Sequence, residues 1–316
     1  MDFTVAAGLF VIGLGLLFYF TEELIKGVVG ASLGLGITSF IVSIVFIGLE
    51  PENLVVGITG ALAGSAGIAM GSIIGAAMII IALSFGLRAL LSPVTFQHAP
   101  KRVIAIPLLA QILLGLLGLD GLLSRTDGSV LLLGFVLSVL YVLRLSKRGL
   151  DVKPTGEVLV HLEKGVALSR RESLSLIVIS IIGLIIGSQM LVAGSKTIIG
   201  YYSVSDTAFG MTVLALAIGL EELVRELPAA LKKKSEISYE NIVGTVIALF
   251  LFNGGIIASI KPVPVSEEVL VFYLPLCIVT TFVISLFMLA RKVPRLGGVL
   301  LIVLYLVFFL KGFIPI

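Results

Sequence analysis

Charge is what this sequence has least of. Only 13% of its 316 residues are Asp, Glu, Lys or Arg, against 58% apolar. A soluble domain carries about 25% charged and about 45–50% apolar residues. So few charges cannot cover so much apolar surface, which excludes an ordinary soluble fold and makes lipid the solvent for most of the chain; mean hydropathy is +1.20. Cysteine is nearly absent, and the single Cys277 excludes an internal disulfide. The two histidines, His98 and His161, sit in polar connections and read as solvated loop residues. There is no His-Glu-x-x-His motif, no Gly-x-Ser-x-Gly elbow and no pair of aspartates within the apolar runs, so the familiar intramembrane enzyme chemistries are excluded. Nothing resembles a nucleic-acid patch. No basic residue precedes Lys26, so the first apolar run reads as a retained transmembrane helix rather than a signal peptide.

Apolar runs long enough to cross about 30 Å of hydrocarbon fall near 4–20, 28–48, 68–87, 103–119, 128–145, 174–195, 207–231, 237–260, 268–290 and 296–314. That predicts ten spans. The second continues past Glu50-Pro51-Glu52 into 54–63, as the other half of one interrupted helix. With the N-terminus outside, 17 Lys and Arg residues fall in inner connections. The outer side holds only Arg125, Lys196, Lys261 and Lys311, and Arg225 lies within a span. This asymmetry is what the positive-inside rule demands. It sets the N-terminus outside a cell membrane and the basic central stretch in the cytoplasm.

The two halves are related. An ungapped shift of 169 residues aligns Glu52 with Glu221, Leu54 with Leu223, Ile73 with Ile242, Gly75 with Gly244 and Gly86 with Gly255. Five spans separate equivalent points, an odd number, so the second copy is inverted. The expected architecture is all-α: a five-helix repeat at 1–145, a basic cytoplasmic linker at 146–173 and an inverted five-helix repeat at 174–316. Interrupted helices meeting at the midplane place a transporter's ion site at the repeat interface.

Ionisable residues inside a span cost about 2.5–3.5 kcal/mol each on insertion scales, and persist where they pair, face water or bind something. Here they occupy two equivalent places, Gly48-Leu49-Glu50-Pro51-Glu52-Asn53-Leu54 and Gly219-Leu220-Glu221-Glu222-Leu223-Val224-Arg225-Glu226. Pro51 breaks the first helix and frees carbonyls beside carboxylates, the oxygen-rich setting that hard cations such as calcium take. The seventh span lacks a matching proline; Pro228 comes two turns later. Arg225, four after Glu221 and three after Glu222, is within reach of both. It is either a tethered cation at the site or a structural charge partner. Ser188, Thr212 and Asn253 are weaker candidates, for which helix packing or capping is the alternative role.

At these motifs the sequence resembles the calcium/cation antiporter superfamily, the membrane region of sodium/calcium exchangers, as a divergent member. The resemblance covers nearly the whole chain in topology, and 40–86 and 209–255 in detail. A second family segment survives as Ser72-Ile73-Ile74-Gly75-Ala76 and Asn241-Ile242-Val243-Gly244-Thr245. With Leu54 and Leu223 fixing the register, the family's ion-binding Glu falls at Asn53 and Glu222, and its polar position on the next helix at Ile80 and Leu249. The resemblance implies an antiporter exchanging calcium or another divalent cation for protons or sodium, with no cofactor. The ion-binding set is then Glu50, Glu52, Asn53, Glu221, Glu222 and Thr245, the four glutamates serving as metal ligands and membrane lipid as the surrounding partner. The loss of hydroxyl ligands favours protons over sodium. A transporter of a different solute on the same scaffold, or a degenerate non-transporting member, stays open.

Overall fold

The computed structural model describes residues 1–34, 50–96, 101–146, 168–231, 236–237 and 239–314. Ten helices of twelve residues or more follow in order among them. These are α1 (Phe3–Gly34), α2 (Pro51–Leu62), α3 (Ala66–Leu91), α4 (Ile106–Leu117), α5 (Arg125–Ser146), α6 (Arg170–Tyr202), α7 (206–231), α8 (239–260), α9 (Val269–Leu289) and α10 (Arg295–Lys311). Seven of the described helices are long and apolar enough to cross a membrane by length and composition, and the chain is an integral membrane protein.

Helix starts follow local chemistry. Ser169 and Glu172 form a reciprocal capping box at the head of α6, and the Ser205 hydroxyl accepts from the Ala208 amide at the head of α7. Each satisfies amides that the first turn leaves unpaired. The first helix is longer than its apolar run, reaching Gly34 rather than stopping near 20, and it absorbs 28–34 from the expected second span. Charge pairing permits this. Lys26 bonds Glu22 at 3.2 Å and Glu23 at 2.7 Å one turn away, so three charges continue the helix as a mutually paired cluster.

The connections contain short strands. β1 (Val94–Phe96), β3 (Glu236–Ile237) and β5 (Lys292–Val293) form one ribbon in the order β3-β1-β5; β2 (Leu122–Leu123) pairs with β4 (Val263–Pro264). The first ribbon joins the connections after α3, α7 and α9, and the second those after α4 and α8. That is the alternation the charge count requires, with Arg88, Arg291 and Lys292 beside the first ribbon. The central basic stretch falls largely outside the described residues, as do both histidines.

Close helix contacts run through glycine, as lipid-embedded packing favours. α1 and α6 are antiparallel: Gly13 lies against Gly187 and Leu191, Gly27 against Ser173 and Ile177, Gly194 against Ala6 and Phe10. Inverted copies of one helix must pair this way. α3 and α7 run parallel, with Gly67 against Asp206, Gly71 against Gly210 and Gly75 against Met211 and Ala215. The Gly67 amide donates to the Asp206 carboxylate at 2.6 Å, fastening the starts of both helices. α3 is buried along nearly its whole length, as a helix apolar on every side should be.

One architectural expectation is corrected. Helix α2 begins at Pro51, and 35–49, the first half of the expected interrupted helix, lie outside the described residues; α7 runs unbroken through Glu221 and Glu222. Leu220 stands where the repeat relation puts Pro51, and it keeps the amide that a helix needs.

A Cβ on Gly210 would collide with the Gly67 backbone, whereas one on Gly8 would meet nothing within 4 Å. Gly210→Ala should therefore destabilise the protein by about 1–3 kcal/mol, the usual cost of overpacking, and Gly8→Ala should not. Thermal unfolding in detergent checks the pair; equal melting temperatures would sink the close-packing account.

Candidate functional site

Glu50 has φ −109° and ψ 82°, outside the helical region, and Pro51 takes the first helical position. There its missing amide would have had no intrahelical partner in any case. The Glu50 carbonyl accepts from the Leu54 amide at 3.0 Å, so this carboxylate-bearing residue stands at the start of α2. Ten residues separate Glu52 from the end of α2 at Leu62, a rise of about 15 Å, which is roughly half a hydrocarbon core. Ala76 and Ile80 lie about 15 and 21 Å down α3 from its start beside that same end of α2, and Glu221 about 23 Å down α7. All three helices therefore carry these residues well in from that end.

They meet there. One cavity is lined by Glu50, Glu52 and Asn53 from α2 and its start, Ala76 and Ile80 from α3, and Ile218, Gly219, Glu221 and Glu222 from α7. Glu52, Asn53 and Glu222 are buried, at 6%, 3% and 8% exposure. Both repeats contribute carboxylates to the lining, and Ala76 and Ile80 of α3 offer no side-chain oxygen.

The polar contacts around the carboxylates are specific. Asn53 Nδ2 donates to a Glu50 carboxylate oxygen at 3.4 Å, leaving Asn53 Oδ1 buried without a hydrogen-bond partner. Thr21 of α1 donates its hydroxyl to Glu52 Oε2 at 3.0 Å. Asn253 of α8 donates to the Glu50 carbonyl at 3.5 Å. Three of the helices bordering this region carry wider π-type turns, at Ile79–Ser84, Gly210–Leu214 and Ala248–Asn253. The first and last are equivalent under the 169-residue shift. Such turns recur at functional sites because they bulge the backbone and re-aim side chains.

Five of the expected site residues thus share one cavity: Glu50, Glu52, Asn53, Glu221 and Glu222. Thr245 does not line it; that residue is buried in α8, at 2% exposure. The side chain of Arg225 lies outside the described residues. No three Asp, Glu, His or Cys side chains among the described residues converge closely enough to hold a metal ion unaided. Thr21 carried no sequence signal, since a threonine at the end of an apolar run is unremarkable. Asn253, assigned to packing or capping, instead touches the Glu50 carbonyl at the start of α2. Ser188 bonds Thr59 at 2.8 Å, joining α6 to α2 as a helix–helix contact.

Comparison with known proteins agrees with this arrangement. The sodium/calcium exchanger protein family matches residues 5–144 and 172–311, one copy in each half. The membrane protein MJ0091 of Methanocaldococcus jannaschii is 27% identical over 305 residues, covering 95% of each chain. The inner membrane protein YrbG of Escherichia coli is 28% identical over 264 residues, 81% of this chain and 80% of that one. Among solved structures, the sodium-calcium exchanger NCX_Mj soaked with sodium and calcium superposes with a TM-score of 0.62, at 25% identity over 97% of this chain and 98% of that one.

A cation held in this cavity stabilises the folded protein by mass action, about 2.7 kcal/mol at a hundredfold excess over Kd. Calcium added to the purified chain should raise its melting temperature, and Glu52→Gln or Glu222→Gln should each remove most of that rise. Persistence of the full shift in both variants would place cation binding elsewhere.

Proposed function

The chain belongs to the sodium/calcium exchanger family, and we propose that it is a secondary active cation antiporter, exchanging calcium or another divalent cation for protons or sodium. The observation that carries this reading is a cavity lined jointly by Glu50 and Glu52 of one repeat and Glu221 and Glu222 of the other. A site at the interface of inverted repeats can be reached from either side when the repeats rock against each other. In this reading Glu50, Glu52, Glu221 and Glu222 supply the charge, Asn53 supplies an amide oxygen, and Thr245 supports α8 from outside the cavity. The repeats are the 1–145 and 174–316 halves, with 146–173 as the cytoplasmic linker and the N-terminus outside the cell membrane, following the basic-residue bias.

Protons are the preferred coupling ion. A sodium site wants several neutral oxygens as well as charge, yet Ala76, Ile80, Ile218 and Gly219 offer no hydroxyl or amide side chain. Carboxylates alone can trade a divalent cation for protons. The same apolar lining residues favour, as a second reading, a different solute carried on this scaffold.

Calcium uptake into proteoliposomes, driven separately by a pH gradient and a sodium gradient, distinguishes these. Uptake on the pH gradient alone is expected, and Glu222→Gln should lower it at least tenfold. Uptake on sodium alone would overturn the proton coupling, and no uptake under either gradient would overturn the calcium reading.

A further inference from the structure

Buried hydroxyls on membrane helices ordinarily bond back to a carbonyl one turn earlier on their own helix. This chain does so repeatedly: Ser32 to Val28, Ser195 to Leu191, Thr280 to Leu276 and Ser285 to Thr281. Thr21 does not. Its hydroxyl leaves α1 and donates to Glu52 Oε2 on α2, at 3.0 Å, with the two residues only 3% and 6% exposed. Its position is fixed by the packing of its own helix, since Phe20 lies against Gly183 and Gly27 against Ile177 of α6. Thr21 is therefore held where it can act on a site carboxylate, although it does not itself line the cavity.

We propose that Thr21 is a positioning residue for exchange, anchoring one carboxylate oxygen of Glu52 so that the side chain is held at the cavity it lines. This rests on the antiporter reading of the cavity. The hydroxyl is a compact donor that reaches Glu52 from a neighbouring helix without bringing a charge of its own. The titratable groups sharing that cavity are Glu50, Glu221 and Glu222; α3 adds none, and the nearby α1 charges Glu22, Glu23 and Lys26 are bonded to one another.

Two readouts test this in the full-length protein, using wild type, Thr21→Val, Thr21→Ala and Thr21→Ser. The first is the infrared carboxyl band assigned to Glu52 by its loss in Glu52→Gln. It should shift in Thr21→Val and Thr21→Ala and return in Thr21→Ser. The second is calcium uptake in proteoliposomes, where Thr21→Val and Thr21→Ala should raise KM about fivefold to tenfold with kcat held within twofold, and Thr21→Ser should restore KM. An unshifted band, an unchanged KM, or a loss confined to kcat overturns the proposal. Should Thr21→Val fail to fold, Thr21→Ala and Thr21→Ser decide it by the same criteria. If wild type takes up no calcium, the exchanger reading fails by itself, and the band still decides whether Thr21 holds Glu52.

Discussion

The structure depends on keeping several carboxylates inside a bundle of membrane helices. Each ionisable side chain there costs about 2.5–3.5 kcal/mol on insertion scales, and this chain places four around one cavity. No single neighbour offsets that. Asn53 donates to the Glu50 carboxylate and Thr21 donates to Glu52. Hydrogen bonds to a charged acceptor are about twice as strong as neutral ones, and in a low-dielectric interior they matter more than in water. Asn253 of α8 adds a contact to the Glu50 backbone carbonyl at the start of α2.

Holding those donors in place requires helices that approach closely, and this is where glycine enters. The α1–α6 and α3–α7 contacts pass through Gly13, Gly187 and Gly194 in one pair and Gly67, Gly71 and Gly210 in the other. Without Cβ atoms the backbones come near enough for van der Waals packing to replace the hydrophobic drive that lipid cannot supply. Thr21 reaches Glu52 only because α1 is seated against α6. Helix packing and site chemistry are therefore one arrangement, in which moving a glycine contact moves a donor.

Much of this was legible in the sequence. Nine of the ten apolar runs coincide with described helices, because a bilayer imposes one length scale on each; of the second, 28–34 belongs to α1, 35–48 lies outside the described residues, and its 54–63 continuation is α2. The 169-residue register singled out Glu52 and Glu221, and both line the observed cavity. What escaped has physical causes. The length of α1 was underestimated because Glu22, Glu23 and Lys26 look like a polar boundary in one dimension, yet on a helix surface the lysine pairs with both carboxylates. Thr21 was invisible because its partner is 31 residues away, and only packing against α6 sets the phase of α1. Thr245 entered the expected site by motif position, and α8 contributes none of the residues that line the cavity. The expected interruption of α7 failed on one atom type, the amide hydrogen that Leu220 keeps and Pro51 lacks.

That difference makes the two repeats unequal partners around the cavity. Neighbouring residues on a helix point about 100° apart, since 3.6 residues complete a turn, so Glu221 and Glu222 cannot aim along one direction from an unbroken α7. They flank the cavity rather than converge in it. On the other side the chain is irregular at Glu50, so Glu50 and Glu52 are not bound to helical spacing. Here Asn53 occupies the position equivalent to Glu222, with an amide in place of a second adjacent charge. The arrangement spreads four carboxylates around a common space, which accounts for the lack of any tight three-residue metal cluster among the described residues. Like charges so disposed repel, and either a divalent cation between them or protons upon them relieves the repulsion. The two remedies exclude each other at any one carboxylate, and in the proposed antiporter that exclusion is what would couple one ion to the other.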